Sequence, residues 1–207
     1  MESSNKFIIA LFGGSQGVGK ECIKQALNQG HKIITLARDP TKLQDIPKNE
    51  NLTIIQGDVF DQEKVNEVIS QSDIVLNSLG GWDDVCSKGT EKIIKSMKQY
   101  NKKRIITCSS LGVGSSYNDC SYLVRFFIYM IISKPIADKN IQEELLFNSG
   151  LDFIIVRPAG LTDKASYGTF KTENVSGGRI PRCDVATFML RQIYSDEYLG
   201  KAVSLTS

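Results

Sequence analysis

The sequence has one histidine, one tryptophan and five cysteines among its 207 residues, and these scarcities exclude several kinds of site. The cysteines are scattered, odd in number and never spaced as C-x-x-C, whereas zinc sites and disulfide frameworks need paired spacings. We therefore expect free thiols, a reducing compartment and no bound metal. The only histidine, His31, opens a predicted strand and is expected to be a surface or structural residue rather than a catalyst.

A clustered charge of one sign is also lacking. The 25 basic and 23 acidic residues are intermixed along the chain and leave a formal net charge of +2, whereas a nucleic-acid surface usually needs a clustered basic face. The most lipophilic segment, residues 123–132, is too short to span a bilayer and contains Arg125. No apolar segment typical of a secretory signal stands at the amino terminus. We expect a cytoplasmic protein whose partners include neither nucleic acid nor a membrane.

What is present is a regular alternation of strand and helix patterns. Strands are predicted at residues 6–12, 31–37, 52–56, 73–78 and 103–109, and helices at 17–28, 61–70 and 87–100. The alternation indicates a parallel sheet covered on both faces, and right-handed crossovers make it a doubly wound, three-layer α/β/α sheet of the Rossmann type. The pattern then loosens, with a helix predicted at 136–148, a strand at 151–157, a helix at 184–194 and a strand at 202–205. With neither repeat nor linker, residues 1–207 are predicted to form one domain.

A glycine-rich segment separates the first predicted strand from the first predicted helix. Gly13 permits a sharp turn, Gly17 permits close approach of the backbone to a pyrophosphate, and Gly19 permits close packing of the helix. Free N–H groups at the helix start favour an anion there. The spacing G-x-x-x-G-x-G differs from the commonest fingerprint, but its strand-to-helix context predicts a dinucleotide cofactor. The residues predicted to hold it are Gly13, Ser15, Gln16, Gly17 and Val18.

The end of the second predicted strand indicates which dinucleotide is bound. A guanidinium there would bind the 2′-phosphate of NADP(H), whereas a carboxylate would accept from the 2′-hydroxyl of NAD(H). Arg38 comes first, so NADP(H) is predicted, while Asp39 keeps NAD(H) open. The alternative for Arg38 is a solvated turn charge.

The next two strand ends add further cofactor residues. Asp58 and Val59 are predicted to meet the adenine edge, although Asp58 could instead cap the following helix. At Leu79 and Gly80, the backbone is predicted to lie under the cofactor's ribose.

With its later segments, the chain resembles an atypical or extended short-chain dehydrogenase/reductase. The strongest piece is residues 149–162, SGLDFIIVRPAGLT, and further pieces are residues 107–110 and 182–186. Within that superfamily it is similar to the flavin reductase/biliverdin reductase B group and its NmrA-like relatives. The resemblance implies NADPH-dependent reduction of flavins or tetrapyrroles by a small cytosolic protein, a monomer or weak homodimer. It also implies that Pro158 and Ala159 lie near the nicotinamide.

The chain departs from the superfamily at the acid/base pair Tyr-x-x-x-Lys. Lys139 stands in the lysine position, but Pro135 stands where the tyrosine would be, and Gly160 occupies the place of a late histidine. Ser110 is therefore predicted to donate to the substrate and Ser109 to contact the cofactor, unless both only satisfy backbone groups at a strand end. Lys139 is predicted to hold a ribose hydroxyl or a substrate carboxylate, or else to be a solvated helix lysine.

These residues predict hydride transfer from NADPH to a planar aromatic acceptor (a flavin, quinone or tetrapyrrole), since such acceptors need no strong internal acid. The alternative is a non-catalytic NADP(H)-binding protein for redox sensing or assembly. Residues 112–135 and 160–182 are predicted to cover the substrate, with a mobile loop at 115–121. The predicted apolar wall, which could instead be a core helix or a dimer face, comprises Phe126, Phe127, Tyr129 and Met130.

Overall fold

A seven-stranded parallel sheet forms the centre of the fold in a computed structural model, which describes residues 5–207. The strands are β1 (Ile8–Phe12), β2 (Lys32–Ala37), β3 (Leu52–Gln56), β4 (Ile74–Asn77), β5 (Arg104–Cys108), β6 (Asp152–Pro158), β7 (Gly160–Thr162), β8 (Arg179–Pro181) and β9 (Lys201–Leu205). The order in the large sheet is β3-β2-β1-β4-β5-β6-β9, and β7 and β8 form a separate parallel pair. The predicted doubly wound, Rossmann-type α/β fold is confirmed; the short β7–β8 pair was not predicted.

Helices cover both faces of this sheet. They are α1 (Gly17–Asn28), α2 (Gln62–Ser70), α3 (Val85–Gln99), α4 (Ser116–Asp119), α5 (Tyr122–Ile131), α6 (Ser133–Phe147) and α7 (Arg182–Arg191). The pair α1 and α7 packs on one face, and α2, α3 and α6 pack on the other. Across residues 5–207, none of the helices combines the length and the apolar character needed to cross a membrane.

The residues of β1 are all apolar, without the alternation of polar and apolar residues that is typical of a half-exposed strand. Ile9 and Leu11 belong to the core under α1 and α7, whereas Ala10 and Phe12 belong to the core under α2, α3 and α6. Successive side chains of a strand point to opposite faces, so a central strand of a sheet covered on both sides must be apolar throughout. The strand predicted at residues 6–12 is confirmed over Ile8–Phe12.

Four helices, α2, α3, α6 and α7, start one to three residues away from the predicted positions, and the starts of α2 and α6 have a physical reason. The N-cap of α2 is Asp61, whose carboxylate accepts from the backbone N–H groups of Glu63 and Lys64. Asp58 instead accepts from the N–H of Phe60, so the alternative that Asp58 caps α2 is wrong. Helix α6 begins three residues earlier than predicted because Pro135 falls in its first turn, where the missing N–H would have no intrahelical partner.

His31 is a fully buried structural residue. Its Nδ1 accepts from the backbone N–H of Phe7 at 3.1 Å, and its Nε2 lies 3.0 Å from the hydroxyl of Tyr194. Burial lowers the pKa of His31 below its ordinary value of 6.5, and the charge of Lys6 lowers it further. The ring is therefore neutral in the folded protein near neutral pH.

We expect this histidine to make the folded protein less stable in weak acid. Because the pKa is lower in the folded state, the unfolded chain takes up the proton first. The contribution is therefore complete above pH 6.5 and is lost as the pH falls through that value toward the lower folded pKa. The melting temperature of the wild type should fall between pH 7.5 and 5.5. His31→Gln, which does not titrate, should show a flatter profile, and an equal slope in both would contradict this role.

Candidate functional site

A cavity of about 1080 Å³ opens at the carboxyl ends of the strands, where the strand order reverses between β1 and β4. Ligands of open parallel sheets bind at this switch point. Every residue predicted to bind the cofactor or to take part in catalysis lines this one cavity: Gly13, Ser15, Gln16, Gly17, Val18, Arg38, Asp58, Val59, Leu79, Gly80, Ser109, Ser110, Lys139, Pro158 and Ala159. The structure thus brings them together, and their individual roles stay predictions.

The glycine loop between β1 and α1 is closed by backbone-to-backbone contacts that only glycine allows. Gly13 has a φ of +80°, and a Cβ there would lie 2.3 Å from the carbonyl oxygen of Ser78. A Cβ on Gly19 would lie 2.2 Å from the carbonyl oxygen of Gly13. Because these two glycines have no side chains, the end of β4 and the start of α1 can pack against the loop. This packing shapes one end of the cavity.

The amino end of α1 fits an anionic group. Its N-cap residue, Gln16, has extended backbone and makes no capping hydrogen bond with its side chain, and the first turn contains no acidic residue. The backbone N–H groups of a first turn have no intrahelical acceptors, and the helix dipole adds partial positive charge there. Gln16, Gly17 and Val18 line the cavity, so this end suits the pyrophosphate of a dinucleotide.

The carboxyl end of β2 places positive charge at the edge of the cavity. Arg38 is exposed, lines the cavity and forms no ion pair within residues 5–207. Asp39 caps the 3₁₀ turn Pro40–Leu43, since its carboxylate accepts from the N–H of Thr41 at 3.0 Å and from the Thr41 hydroxyl at 2.6 Å. These hydrogen bonds lower the pKa of Asp39. Lys42 lines the same edge, a position that sequence reasoning missed because it did not foresee this turn.

Lys139 on α6 bridges the ends of two strands. Its Nζ donates to the carbonyl oxygens of Cys108 at 3.0 Å and Leu79 at 3.4 Å, and the side chain is half-buried. The alternative of a solvated helix lysine is therefore wrong. With two of its three N–H groups directed at backbone carbonyls, the ammonium keeps one for another acceptor.

Ser109 and Ser110 follow β5 but have different partners. The hydroxyl of Ser109 is buried and donates to the carboxylate of Glu143 at 2.5 Å. Glu143 forms a buried ion pair with Arg157 of β6. The hydroxyl of Ser110 is half-buried and donates to the backbone carbonyl of Leu111 at 3.2 Å, as the alternative for this residue expects. Donation from Ser110 to a substrate stays a prediction.

Helix α5 supplies an apolar wall that differs from the predicted one. Of the four predicted wall residues, only Phe127 lines the cavity; Phe126, Tyr129 and Met130 lie outside it and are 64%, 74% and 61% exposed. The wall instead consists of residues spaced three and four apart along one helix face, Leu123, Val124, Phe127 and Ile128, followed by Ile132. The prediction is wrong for three residues because apolar side chains occupy both faces of this helix and only one face lines the cavity. The predicted loop at 115–121 contains the one-turn helix α4.

Two arginines were missed as site residues. Arg179 of β8 and Arg182 of α7 both line the cavity. The side chain of Arg182 reaches the glycine loop, since its Nε would lie 3.7 Å from a Cβ on Gly17, and its Nη1 pairs with Asp163 at 2.7 Å. Residues 182–186 carried a family resemblance in the sequence, but nothing local to that segment indicates that α7 approaches the glycine loop.

The cavity thiol is not a nucleophile at neutral pH. Cys108 lines the cavity, and its burial raises the pKa of the thiol, although Lys139 acts in the opposite direction. Burial likewise raises the pKa of Cys86 to about 11. A thiol with a raised pKa carries little thiolate, which is the reactive form. All five cysteines are free, as predicted.

Comparison with known proteins agrees with this geometry. A family model described as NAD(P)H-binding matches residues 13–196, a span that begins at the glycine loop and includes all of the predicted site residues. The predicted class of cofactor, NADP(H) or NAD(H), is thereby confirmed.

Relatives match nearly the whole chain. The reductase pytE of Aspergillus terreus is 24% identical over 261 aligned positions, which cover 99% of each protein. ChuY, an anaerobillin reductase from Escherichia coli O157:H7, is 23% identical over 96% of each chain, with a TM-score of 0.83. A short-chain dehydrogenase/reductase from Veillonella parvula DSM 2008 in complex with NADP is 14% identical, covers 97% of this chain and 95% of its own, and has a TM-score of 0.83. At these identities the structural likeness establishes the fold.

Proposed function

Because the chain belongs to the NAD(P)H-binding family, we propose that it is an NADPH-dependent reductase that transfers a hydride to a planar aromatic acceptor such as a flavin, quinone or tetrapyrrole. One observation carries the proposal: a single cavity runs from the glycine loop, past the ends of β5 and β6, to an apolar wall on α5. Its first part suits a dinucleotide, and its second part suits a flat apolar ring beside the nicotinamide.

The choice of NADPH rests on the groups at the end of β2. Arg38 and Lys42 supply two positive charges to the cavity edge. Oδ1 of Asp39 is engaged by the N–H and the hydroxyl of Thr41, which holds this carboxylate on the 3₁₀ turn, whereas Arg38 has no such partner among the described residues. A guanidinium can bind a phosphate through two parallel hydrogen bonds.

A flat aromatic acceptor matches the groups available at the other end. The bound nicotinamide supplies the hydride, and the protein positions the two rings and excludes water. Pro135 stands where a proton-donating tyrosine would be, so the acceptor takes its proton from solvent. A flavin or quinone accepts two electrons and a proton without a strong internal acid. The reductase names of pytE and ChuY support the same class of reaction.

The wall on α5 allows a test with two neighbouring phenylalanines. We expect Phe127→Ala to lower kcat/KM for the aromatic acceptor about tenfold, because it removes ring contacts inside the cavity. Phe126→Ala makes the same chemical change on the outer face and should leave kcat/KM unchanged. The measurement follows NADPH oxidation at the nicotinamide absorbance with FMN, a quinone and a linear tetrapyrrole in turn. Equal effects of the two substitutions would remove α5 from the acceptor site.

The departure at Pro135 also favours a second function, a non-catalytic NADP(H)-binding protein for redox sensing or assembly. The same assay separates the two. Binding of NADPH without turnover of any acceptor, together with different affinities for NADP⁺ and NADPH, would favour the sensing function and contradict the proposal of a reductase.

A further inference from the structure

A buried ion pair decides the direction of one hydrogen bond at the cavity wall. Arg157 donates through Nε to Oε1 of Glu143 at 3.0 Å and through Nη2 to Oε2. The two side chains are only 5% and 3% exposed. A buried guanidinium stays charged and needs a carboxylate partner, and a carboxylate can only accept hydrogen bonds. The hydroxyl of Ser109 must therefore be the donor in its contact with Glu143.

This direction leaves Ser109 with one kind of hydrogen bond to offer the cavity. A serine hydroxyl has a single proton and two lone pairs. The proton of Ser109 is directed at Oε1 of Glu143 at 2.5 Å, away from any ligand. Ser109 also lines the cavity, so only its lone pairs remain for a bound molecule. A ligand group that reaches this hydroxyl would therefore meet an acceptor and not a donor.

A donor lines the same cavity and bonds the backbone next to Ser109. Lys139 is bonded to the carbonyl oxygen of Cys108, the residue immediately before Ser109, and to that of Leu79. An ammonium has three N–H groups, so one remains for a ligand. A planar amide presents an N–H next to a carbonyl oxygen. It is therefore complemented by one group that accepts a hydrogen bond, such as Ser109, and one that donates, such as Lys139.

We propose that Ser109 and Lys139 together select an amide group in the bound molecules, with Glu143 and Arg157 as positioning residues that hold the serine proton away from the cavity. The inference rests on the proposed function. Among the candidate ligands, the dinucleotide carries such a group in the carboxamide of its nicotinamide ring. A flavin acceptor carries one in its imide edge, and a linear tetrapyrrole carries one in its terminal lactam rings. In each case the N–H of the amide donates to Ser109 and its carbonyl accepts from Lys139.

The carboxamide is tested by binding alone, without an acceptor. Calorimetry compares NADP⁺ with its 3-acetylpyridine analogue, in which a methyl group replaces the NH₂ and the carbonyl is kept. We expect the wild type to prefer NADP⁺ about tenfold, since the analogue leaves the Ser109 oxygen without its donor. Ser109→Ala should reduce the preference to about twofold or less, and Ser109→Thr, which keeps the hydroxyl, should retain it.

A matched control lies on the other side of Arg157. The hydroxyl of Ser115 accepts from Nη1 of Arg157 at 3.0 Å but does not line the cavity. Ser115→Ala removes a hydroxyl from the same network and should leave the tenfold preference intact. A purely structural role for Ser109 would change the melting temperature and not this preference.

The flavin imide forms the second arm. Turnover of lumiflavin is compared with that of 3-methyllumiflavin, which lacks the imide N–H, in the wild type and in Ser109→Ala. Loss of discrimination in this arm alone assigns the amide to the acceptor. Unchanged discrimination in both arms overturns the inference. If no acceptor is turned over while Ser109→Ala still abolishes the NADP⁺ preference, the reductase proposal fails and the role of Ser109 stands.

Discussion

Replacement of Arg38 by alanine is expected to weaken NADPH binding by about 1.5–3 kcal/mol, roughly ten- to a hundredfold, and to leave NADH binding nearly unchanged. The side chain is exposed at the cavity edge and forms no ion pair within the described residues, so its charge is available to a 2′-phosphate. NADH lacks that phosphate and loses no contact. Calorimetry with NADPH, NADH and their oxidised forms gives the four affinities.

The control for this experiment comes from the same strand. Lys32 is exposed at the opposite end of β2, away from the cavity, so Lys32→Ala removes one positive charge without touching the site. Its NADPH affinity should match that of the wild type. If Arg38→Ala binds NADPH as tightly as Lys32→Ala does, the assignment of the 2′-phosphate to Arg38 is refuted and Lys42 becomes the remaining cation at that edge.

Gly13→Ala is expected to have the largest effect on folding. The substitution places a methyl group 2.3 Å from the carbonyl oxygen of Ser78, and the φ of +80° is costly for any residue with a Cβ. The positive φ costs about 1–2 kcal/mol and the overlap about 1–3 kcal/mol more. For a chain of this length, the melting temperature should drop by roughly 5–15 °C. Thermal unfolding followed by circular dichroism measures it.

Gly80 provides the comparison for this substitution. It lines the same cavity, but a Cβ there would meet nothing within 4 Å. Gly80→Ala should therefore keep the melting temperature within about a degree or two of the wild type. A similar drop in both variants would mean that alanine at either glycine acts through the chain's general flexibility and not through the contact with Ser78.

The half of the fold that builds the dinucleotide end could be predicted because its signals are local. Helix α1 has the predicted bounds, Gly17–Asn28, since glycines mark its start and an apolar period of 3.6 follows. The residues at the ends of β1 to β4 meet at one edge because parallel strands all point the same way. Knowing the strand order was therefore enough to place Arg38, Asp58 and Leu79 around one cavity.

The acceptor end could not be predicted in the same way, because its contacts join segments far apart in the chain. Glu143 and Arg157 lie on a helix and a strand that read locally as ordinary elements, and only packing makes them a buried pair. Arg182 approaches Gly17 because α7 packs beside α1, although the two helices lie near opposite ends of the chain. In α5, an almost entirely apolar sequence leaves no polar face to show which side turns inward.

The reversal of strand order has a further consequence for how the molecule assembles. Strands β1 to β3 form one set of neighbours and β4 to β6 another. The two sets meet along β1 and β4, where the backbone N–H of Ile8 donates to the carboxylate of Asp73, 65 residues further along the chain. Among the first six strands, the pairing of β1 with β4 closes the longest loop, so it has the largest entropic cost of loop closure. The cavity is lined by residues that follow strands of both sets, so a dinucleotide bound there would contact both. At a hundred times its Kd, the dinucleotide would add about 2.7 kcal/mol to the free energy of unfolding. Binding in this cavity would therefore favour the paired arrangement of the two sets of strands.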